Sequence, residues 1–366
     1  MMPPLEIAGR SERVRKRLEQ ADALLVSDLN NIRWLTGFTG SNGWVVVTAD
    51  EVVLVTDGRY GDQATAQLTS AGVEGRVVVG LSSTELLDAI AAEVAPLESL
   101  GFESAHVTYD QHQRYERHFA PRLVPVGGLV EAERRQKDAG EVARMAEACR
   151  IADVALSEVV LERRTEAEVR NQLEVRMREL GASGPSYETI VATGPVNAAR
   201  PHHRPTDTLI ERGHTVIIDV GALYDGYHSD MTRTFFVGDP TTEQLELYEV
   251  VLAAQRAGVA AVESGISSAE LDAVCRDAIT AAGYGEWFIH GTGHGVGLLI
   301  HEDPFINRTG DLRLQVGDVV TVEPGVYREG FGGIRVEDLV VVTDNGCRVL
   351  TASPKDSPCP PSPPTT

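Results

Sequence analysis

Five side chains capable of binding a divalent metal occur in the second half of the chain, each within a distinctive local sequence. In chain order they are Asp219, Asp230, His294, Glu323 and Glu337. Four carboxylates in one cavity would repel one another, and two divalent cations would balance their charge of about −4. The set therefore predicts a two-metal site suited to hydrolysis. Oxygen ligands with one imidazole favour Mn²⁺, Co²⁺, Fe²⁺ or Zn²⁺ over a thiolate-bound structural metal.

A predicted β-hairpin places the first two acids. Asp219 ends an apolar run typical of a buried strand, and a second strand is predicted over His228–Val237. Between them, the pair Asp225–Gly226 indicates a tight turn. Folding the chain about Tyr224–Asp225 would set Asp230 opposite Asp219, or one residue away if a bulge intervenes, with Cβ atoms about 5 Å apart. Two carboxylates at that spacing need a shared proton or a cation.

The other three ligands belong to later strands. Glycines alternate around His294, and such glycines let a backbone bend sharply and pass close to a site. His294 and His301 are an odd number of residues apart, so a regular strand would point them to opposite faces unless it bends. Glu323 ends an apolar run before a Pro-Gly turn, and Glu337 precedes another apolar run. Either glutamate alone could be an ordinary polar strand residue. Together with the other three candidates, they indicate a metal site.

Two domains are predicted to carry these elements. Residues 1–133 read as a smaller α/β domain, in which Asp57, Arg59 and Glu103 are interpreted as structural. Its predicted elements are helices over 10–20 and 86–95 and strands over 23–27, 43–48, 52–56 and 101–102. Residues 134–352 group helices (about 137–161, 166–180 and a pair within 242–282) with antiparallel strands, which predicts an α+β domain. The proline-rich residues 353–366 are predicted to be a disordered tail.

Composition argues against several partners. A net charge of −21 over 366 residues disfavours nucleic acid and anionic membranes, which are polyanions. We find no secretory signal at the start and no apolar stretch of about 18 residues that would cross a membrane. The four cysteines are far apart with no CxxC pair, which favours reduced thiols in a cytoplasmic protein.

The motifs that carry the candidate ligands resemble those of the pita-bread metallopeptidase family, in its Xaa-Pro aminopeptidase and Xaa-Pro dipeptidase (prolidase) branch. The matching segments are VIIDVGALYDGYHSDMTRTF, HGTGHGVGLLIHEDP, VTVEPGVY and GGIRVED. NIRWLTGFTGSNGWVVVT and TDGRYGDQA are similar to a creatinase-type N-terminal domain. The resemblance covers about residues 10–352 and implies an α+β pita-bread catalytic domain after a smaller α/β domain. It also implies a homodimer or homotetramer.

The resemblance further implies a role for each metal ligand. Asp219 would chelate one metal, and Asp230 with Glu337 would bridge both. His294 and Glu323 would complete the shell of the second metal. The expected pair of ions is Mn²⁺, with Co²⁺, Zn²⁺ or Fe²⁺ as alternatives.

Four more residues match family positions around the metals. His202 matches a histidine that shuttles a proton or binds substrate, although His203 beside it leaves that choice open. His301 matches a second histidine that contacts substrate. Tyr327 and Arg335 match residues that orient the bridging groups.

The implied reaction is cleavage of the N-terminal Xaa-Pro bond of peptides with proline at the second position. A hydroxide bridging the metals would attack, Glu323 would carry the proton toward the proline nitrogen, and His202 and His301 would stabilise the oxyanion, each such donor being worth about 3–4 kcal/mol.

Aminopeptidase and dipeptidase activity remain alternatives. Family dipeptidases often carry an arginine directly after the His-Glu-x-Pro segment, which clamps the substrate carboxylate. Here Phe305 follows Pro304 and the nearest arginine is Arg308, which favours an aminopeptidase. A methionine aminopeptidase would lack the N-terminal domain, creatinase works without metal, and a non-catalytic pita-bread binding module usually loses the ligands. A two-metal phosphodiesterase would need basic residues that the chain does not supply.

Overall fold

A six-stranded sheet of mixed direction forms the centre of the first unit, residues 4–134, in the computed structural model, which describes residues 2–358. The elements of this unit are α1 (Arg10–Arg17), β1 (Ala23–Val26), α2 (Leu29–Thr36), β2 (Gly43–Val47), β3 (Val52–Asp57), α3 (Gly61–Ser70), β4 (Gly75–Gly80), α4 (Ser83–Val94), β5 (Ser99–Glu103), α5 (Tyr109–His118), β6 (Arg122–Val126) and α6 (Leu129–Arg134). The strand order is β4-β3-β2-β1-β5-β6. β1, β2 and β3 pair antiparallel, and β4, β5 and β6 are added in parallel.

Valine-rich strands and one amphipathic helix explain the core of this unit. All four residues of β1 are buried, as are the first five of β3, because helices cover the sheet. The buried residues of α4 recur at helical spacing and pack on the sheet: Leu86, Leu87, Ile90 and Val94. Glu103 has a structural role, since its buried carboxylate accepts hydrogen bonds from the backbone nitrogens of Ser27 (2.6 Å) and Asp28 (2.8 Å).

The second unit runs from Arg135 onward and pairs its strands antiparallel. Its elements are α7 (Ala139–Ser157), α8 (Glu166–Glu179), β7 (Gly184–Pro185), β8 (Ile190–Thr193), α9 (Gly194–Asn197), β9 (Thr215–Asp219), β10 (Ala222–Tyr224), β11 (Tyr227–His228), β12 (Thr232–Phe236), α10 (Thr242–Ala261), α11 (Ser268–Ala281), a 3₁₀ turn (Gly285–Trp287), β13 (Gly293–Gly295), β14 (Glu302–Ile306), β15 (Val319–Val322), β16 (Gly325–Arg328), β17 (Gly332–Arg335), β18 (Asp338–Thr343) and β19 (Gly346–Val349). The predicted α+β class is therefore confirmed.

Small sheets and long helices divide this unit into two apolar cores. The strand orders are β11-β10-β7, β12-β9-β8, β14-β13-β15-β18-β19 and β16-β17. One core packs α7 and α8 against β9 and β12, and the other packs α10 and α11 against β15 and β18. Each of these four helices begins with a capping box, in which the cap side chain and the third helical residue bond each other's backbone nitrogen. Local sequence therefore sets where they start.

Residues 353–358 are tied to the second unit, although the composition predicts disorder from Ser353 onward. Buried Arg233 donates to the carbonyl of Ser353 at 2.7 Å. Tyr248 donates to the carbonyl of Lys355 at 2.8 Å, and Phe236 N donates to Pro358 O at 2.8 Å. The backbone carbonyls of three of these residues thus accept hydrogen bonds from the folded chain, and composition does not predict these contacts. The rest of the predicted tail, residues 359–366, lies outside the described residues.

Three cysteines of the described chain, Cys149, Cys275 and Cys347, are unpaired, and Cys359 lies outside the described residues. Within residues 2–358, none of the helices combines the length and apolar character needed to cross a lipid bilayer.

Candidate metal centre

The hairpin that carries the first two acids differs in register from the predicted one. β10 and β11 are joined by the two-residue turn Asp225–Gly226, where φ is 45° and 74°, so both residues adopt the left-handed conformation that such hairpins require. Asp219 consequently pairs with Thr232 and not with Asp230. The predicted direct opposition is wrong by two residues, because the turn lies one residue later than expected. A two-residue displacement still leaves the acids diagonal neighbours on one face.

The carboxylates of Asp219, Asp230 and Glu337 converge, with one oxygen of each within 4.8 Å of the others. Asp230 and Glu337 are only 5% and 1% exposed. Thr232 Oγ1 donates to Glu337 Oε2 at 2.7 Å and thereby holds that side chain in place. The other oxygen, Glu337 Oε1, is buried and has no hydrogen-bond partner among the described residues. An unpartnered buried acceptor is costly, so this oxygen fits a metal ligand well.

His294 presents a lone pair to two acids. Its Nδ1 lies 3.0 Å from the carbonyl of Gly295, which can only accept, so Nδ1 carries the proton. Nε2 then faces Asp230 Oδ2 at 3.5 Å and Glu323 Oε1 at 3.4 Å. Thr321 Oγ1 accepts from His294 N at 3.0 Å and donates to Glu323 Oε1 at 3.1 Å. A cation bound between these three atoms would satisfy all of them at once.

Burial makes the negative charge of the cluster expensive. Burial, followed by the charge of Asp219, raises the pKa of Asp230 well above its ordinary value. Burial, followed by the charge of Asp230, raises the pKa of Glu337 in the same direction. Arg335 Nη2 donates to Asp219 Oδ2 at 2.7 Å, but one guanidinium against four carboxylates leaves a net charge of about −3. The residues present therefore fit a pair of divalent cations.

Arg335 also connects the cluster to its surroundings, as expected for an orienting residue. Its Nη1 donates to the hydroxyl of Tyr327 at 2.7 Å and to the carbonyl of Pro201 at 3.0 Å. Tyr327 lies 3.0 Å from His290 Nε2, and burial raises the pKa of Tyr327 to about 12, so the phenol stays protonated. The guanidinium is thus held by several planar contacts that a lysine would not reproduce.

The two histidines that are predicted to contact substrate line cavities at the acid cluster. His202 is exposed and lines a cavity of about 320 Å³ together with Asp219, His294 and Glu323. The ring of His301 lies 4.4 Å from that of His294, and it lines a second cavity of about 170 Å³. The backbone bend that this requires is present, because the pairing of β13 with β14 shifts register between Gly293 and Gly295.

Tyr187 belongs to the site although its sequence did not point to it. Its hydroxyl donates to Asp230 Oδ1 at 2.6 Å and also contacts Asp219 Oδ1. Burial, followed by the charge of Asp219, raises the pKa of Tyr187 well above its ordinary value. A single hydroxyl proton serves only one acid at a time, so one of the two carboxylate oxygens that Tyr187 contacts receives no hydrogen bond from it. Tyr187 precedes β8 in a segment with no ligand motif, and only its proximity to a buried strand offered a hint.

Known protein families match both units of the chain. Residues 143–344 match the metallopeptidase family M24, and residues 10–136 match the creatinase/prolidase N-terminal domain. The chain belongs to metallopeptidase family M24. All five candidate ligands lie within the range that matches this family. The M24 assignment confirms the resemblance and the two-domain α+β fold, and it makes the protein an enzyme, a metallopeptidase.

Individual relatives resemble the chain over nearly its full length. An uncharacterized peptidase of Bacillus subtilis (strain 168), YqhT, is 40% identical over 339 residues, which cover 92% of this chain and 95% of YqhT. The solved Xaa-Pro dipeptidase from Bacillus anthracis matches with a TM-score of 0.92 at 38% identity, covering 95% of this chain and 98% of that chain. The X-Pro aminopeptidase from Thermotoga maritima MSB8 matches with a TM-score of 0.85 at 34% identity, covering 94% and 99%.

Proposed function

We propose that this M24 metallopeptidase is an Xaa-Pro aminopeptidase, which removes the first residue from peptides that have proline second. The observation that carries the proposal is the convergence of three carboxylates, with a histidine and a further glutamate beside them, around a buried and unpartnered Glu337 oxygen. The cofactor would be two divalent ions, with Mn²⁺ the expected metal and Co²⁺, Zn²⁺ or Fe²⁺ the alternatives.

Five side chains would hold the ions. Asp219 would bind one, Asp230 and Glu337 would contact both, and His294 with Glu323 would complete the set of ligands around the second ion. When bound, the metals supply Lewis acidity that activates a water at neutral pH and polarises the scissile carbonyl.

Glu323 is the residue best placed to move the proton. It lines both cavities of the cluster, and its Oε1 accepts from Thr321 at 3.1 Å, which restricts its rotation. It would take the proton of the attacking water and deliver it to the proline nitrogen as the amide breaks. The nitrogen of any peptide bond must gain a proton before it can leave as an amine, and Glu323 would supply that proton to the proline nitrogen.

His202 and His301 would donate hydrogen bonds to the oxyanion that forms at the carbonyl. Burial, followed by the neighbouring His294, lowers the pKa of His301, so its imidazole is neutral near pH 7. A neutral imidazole still carries one N–H that can donate. Loss of such a donor typically costs about 3–4 kcal/mol in the transition state.

The residues that line the cavity near Phe305 support a preference for longer peptides over dipeptides. Phe305 lines the same cavity as the candidate ligands and is 47% exposed, and an apolar ring offers nothing to a free carboxylate. A further cavity of about 530 Å³, lined by Arg308, adjoins it. The walls that the two share are His290, Gly291 and Asn307. A chain continuing past proline has room there, and its carboxylate would meet Arg308.

An Xaa-Pro dipeptidase is the second candidate, because the similar solved protein from Bacillus anthracis carries that description. A digest of Ala-Pro, Ala-Pro-Ala and a five-residue Ala-Pro peptide by the metal-reconstituted protein separates the two, with Ala-Ala-Ala as control. We expect kcat/KM for the tripeptide to exceed that for Ala-Pro by about tenfold or more. The reverse preference would make the protein a dipeptidase. No cleavage of any proline peptide, with two ions bound by elemental analysis, would refute the proposal.

A cytoplasmic location and a homodimer or homotetramer complete the proposal. The three unpaired cysteines of the described chain support a reducing compartment. Light scattering of the purified protein tests the assembly, and a monomer would refute that part.

A further inference from the structure

The two neighbours of His202 in the chain are both anchored. The carbonyl of Pro201 accepts from Arg335 Nη1 at 3.0 Å. His203 is buried, and its Nε2 lies 2.9 Å from Glu166 Oε2. Between these anchors His202 is exposed and lines the cavity that holds Asp219. The direction of His202 is therefore set by contacts that its neighbours make.

Glu166 is the centre of the second anchor. It is fully buried at the first turn of α8, and its carboxylate accepts five hydrogen bonds. Oε1 accepts from Thr193 N at 2.8 Å and Asn197 Nδ2 at 3.0 Å. Oε2 accepts from His203 Nε2 at 2.9 Å, from Thr206 N at 3.0 Å and from Thr206 Oγ1 at 2.8 Å. All five contacting atoms donate hydrogen bonds to the carboxylate, so the buried anion is satisfied without a metal.

The helix itself does not require this carboxylate. α8 already begins with a capping box, in which Thr165 and Glu168 satisfy each other's backbone nitrogens. The backbone nitrogens of Glu166 and Ala167 donate to the carbonyls of Thr208 and Thr206, so the helix start is satisfied without the Glu166 carboxylate. Three of the five donors to Glu166 belong instead to residues 203–206, directly after His202. The buried acid therefore organises the loop and not the helix start.

We propose that Glu166 and His203 are positioning residues for His202. They hold the loop so that the His202 imidazole stands at the cavity where the oxyanion forms. This inference rests on the proposed function, in which His202 donates to that oxyanion. A displacement of about 1 Å in such a donor can lower the rate about 100-fold, so the anchor matters for turnover more than for substrate binding.

Two substitutions of His203 distinguish a role in positioning His202 from a general contribution to folding. His203→Leu removes the donor, whereas His203→Gln keeps an N–H that can reach Glu166. On Ala-Pro-Ala we expect His203→Leu to lower kcat about 10- to 100-fold with KM within about twofold, and His203→Gln to recover most of the loss. Metal content of both should stay near wild type, whereas the melting temperature of His203→Leu should fall by a few degrees, because the buried Glu166 carboxylate loses one of its five donors. Asp207→Asn is the matched control, since Asp207 is an exposed acid of the same loop.

A double-mutant cycle with His202→Ala decides whether His203 acts through His202. If it does, adding His203→Leu to His202→Ala lowers kcat no further. Additive losses in kcat, or a His203→Leu variant with wild-type kcat, would overturn the inference. Glu166→Gln removes the charge that His203 contacts and should lower kcat in the same way. If that variant does not fold, His203→Leu and His203→Gln still decide the question. Cleavage of Ala-Pro-Ala by the wild type is measured first, so a failure of the proposed function is seen separately.

Discussion

Arg335 and Asp219 form a partly buried ion pair at the edge of the acid cluster, with Nη2 donating to Oδ2 at 2.7 Å. The same guanidinium donates to Thr232, the residue that pairs with Asp219 across the strands and that also holds Glu337. One cation therefore orients two of the acids expected to bind metal, Asp219 directly and Glu337 through Thr232.

Arg335→Lys should test this connection. A lysine keeps the charge but not the planar fork, so the acids and the carbonyl of Pro201 lose their common donor. We expect kcat/KM on Ala-Pro-Ala to fall about 100-fold, because the ligands and the His202 loop are both displaced. Arg328→Lys, an outward arginine on the same hairpin paired with Glu243, should change it less than about threefold. Equal losses in both variants would contradict the assignment.

Asp230→Asn should abolish metal-dependent activity and, with it, the stabilisation by metal. A ligand that binds only the folded state raises its stability, so added Mn²⁺ should raise the melting temperature of the wild type and not of this variant. Without metal the variant should be at least as stable as the wild type, because a buried repulsive charge is gone. Asp225→Asn, at the turn of the same hairpin, is the control and should keep metal and activity. A metal-loaded and active Asp230→Asn would eliminate the proposed centre.

The metal-free protein should lose stability as pH rises. Burial raises the pKa of Asp230 and of Glu337 above their ordinary values, so in this region the folded state binds more protons than the unfolded state. Stability from these acids is complete below an ordinary carboxyl pKa of about 4 and is lost as pH rises through the higher folded values. Urea unfolding of chelator-treated protein between pH 5 and pH 8 measures the slope. Asp230→Asn should flatten it, and an unchanged slope in that variant would exclude this cause.

Tyr187→Phe should destabilise the metal-free protein more than the metal-loaded one. Without metal, the phenol is a donor to the buried acids, and its removal should cost about 1–3 kcal/mol of unfolding free energy. Once cations satisfy the acids, the cost should shrink. Tyr248→Phe, which removes a hydrogen bond to the carbonyl of Lys355, should cost the same with and without metal. Matching behaviour of the two variants would place Tyr187 outside the centre.

Phe305→Arg should shift the preference toward dipeptides. A guanidinium in the ligand-lined cavity could pair with the carboxylate of Ala-Pro, and a charge-assisted hydrogen bond of about 1.5–3 kcal/mol corresponds to roughly tenfold or more in kcat/KM. Phe305→Leu, which only trims the ring, should leave the ratio of Ala-Pro to Ala-Pro-Ala cleavage near wild type. If both variants shift that ratio equally, charge at this position is not what selects the substrate.

Much of the site is predictable from local sequence because the relevant signals are short. The Asp225–Gly226 turn and the capping boxes of the long helices depend on residues a few positions apart, and each of the five ligand candidates lies in a short motif of its own, although the two glutamates gain weight only from the whole set. The two-domain order and the α+β class follow from patterns of the same kind. Short sequence motifs thus determined which residues are proposed to bind metal and which strands carry those residues.

Only the tertiary structure decided how those residues meet. The pairing of Asp219 with Thr232, the approach of Tyr187 to Asp230 and the anchoring of His203 by Glu166 join residues many positions apart. The last described residues, 353–358, likewise read as disordered by composition but satisfy buried donors elsewhere in the fold. Such contacts depend on strand register and on which buried groups lack partners, and both are properties of the packed chain that no short segment encodes.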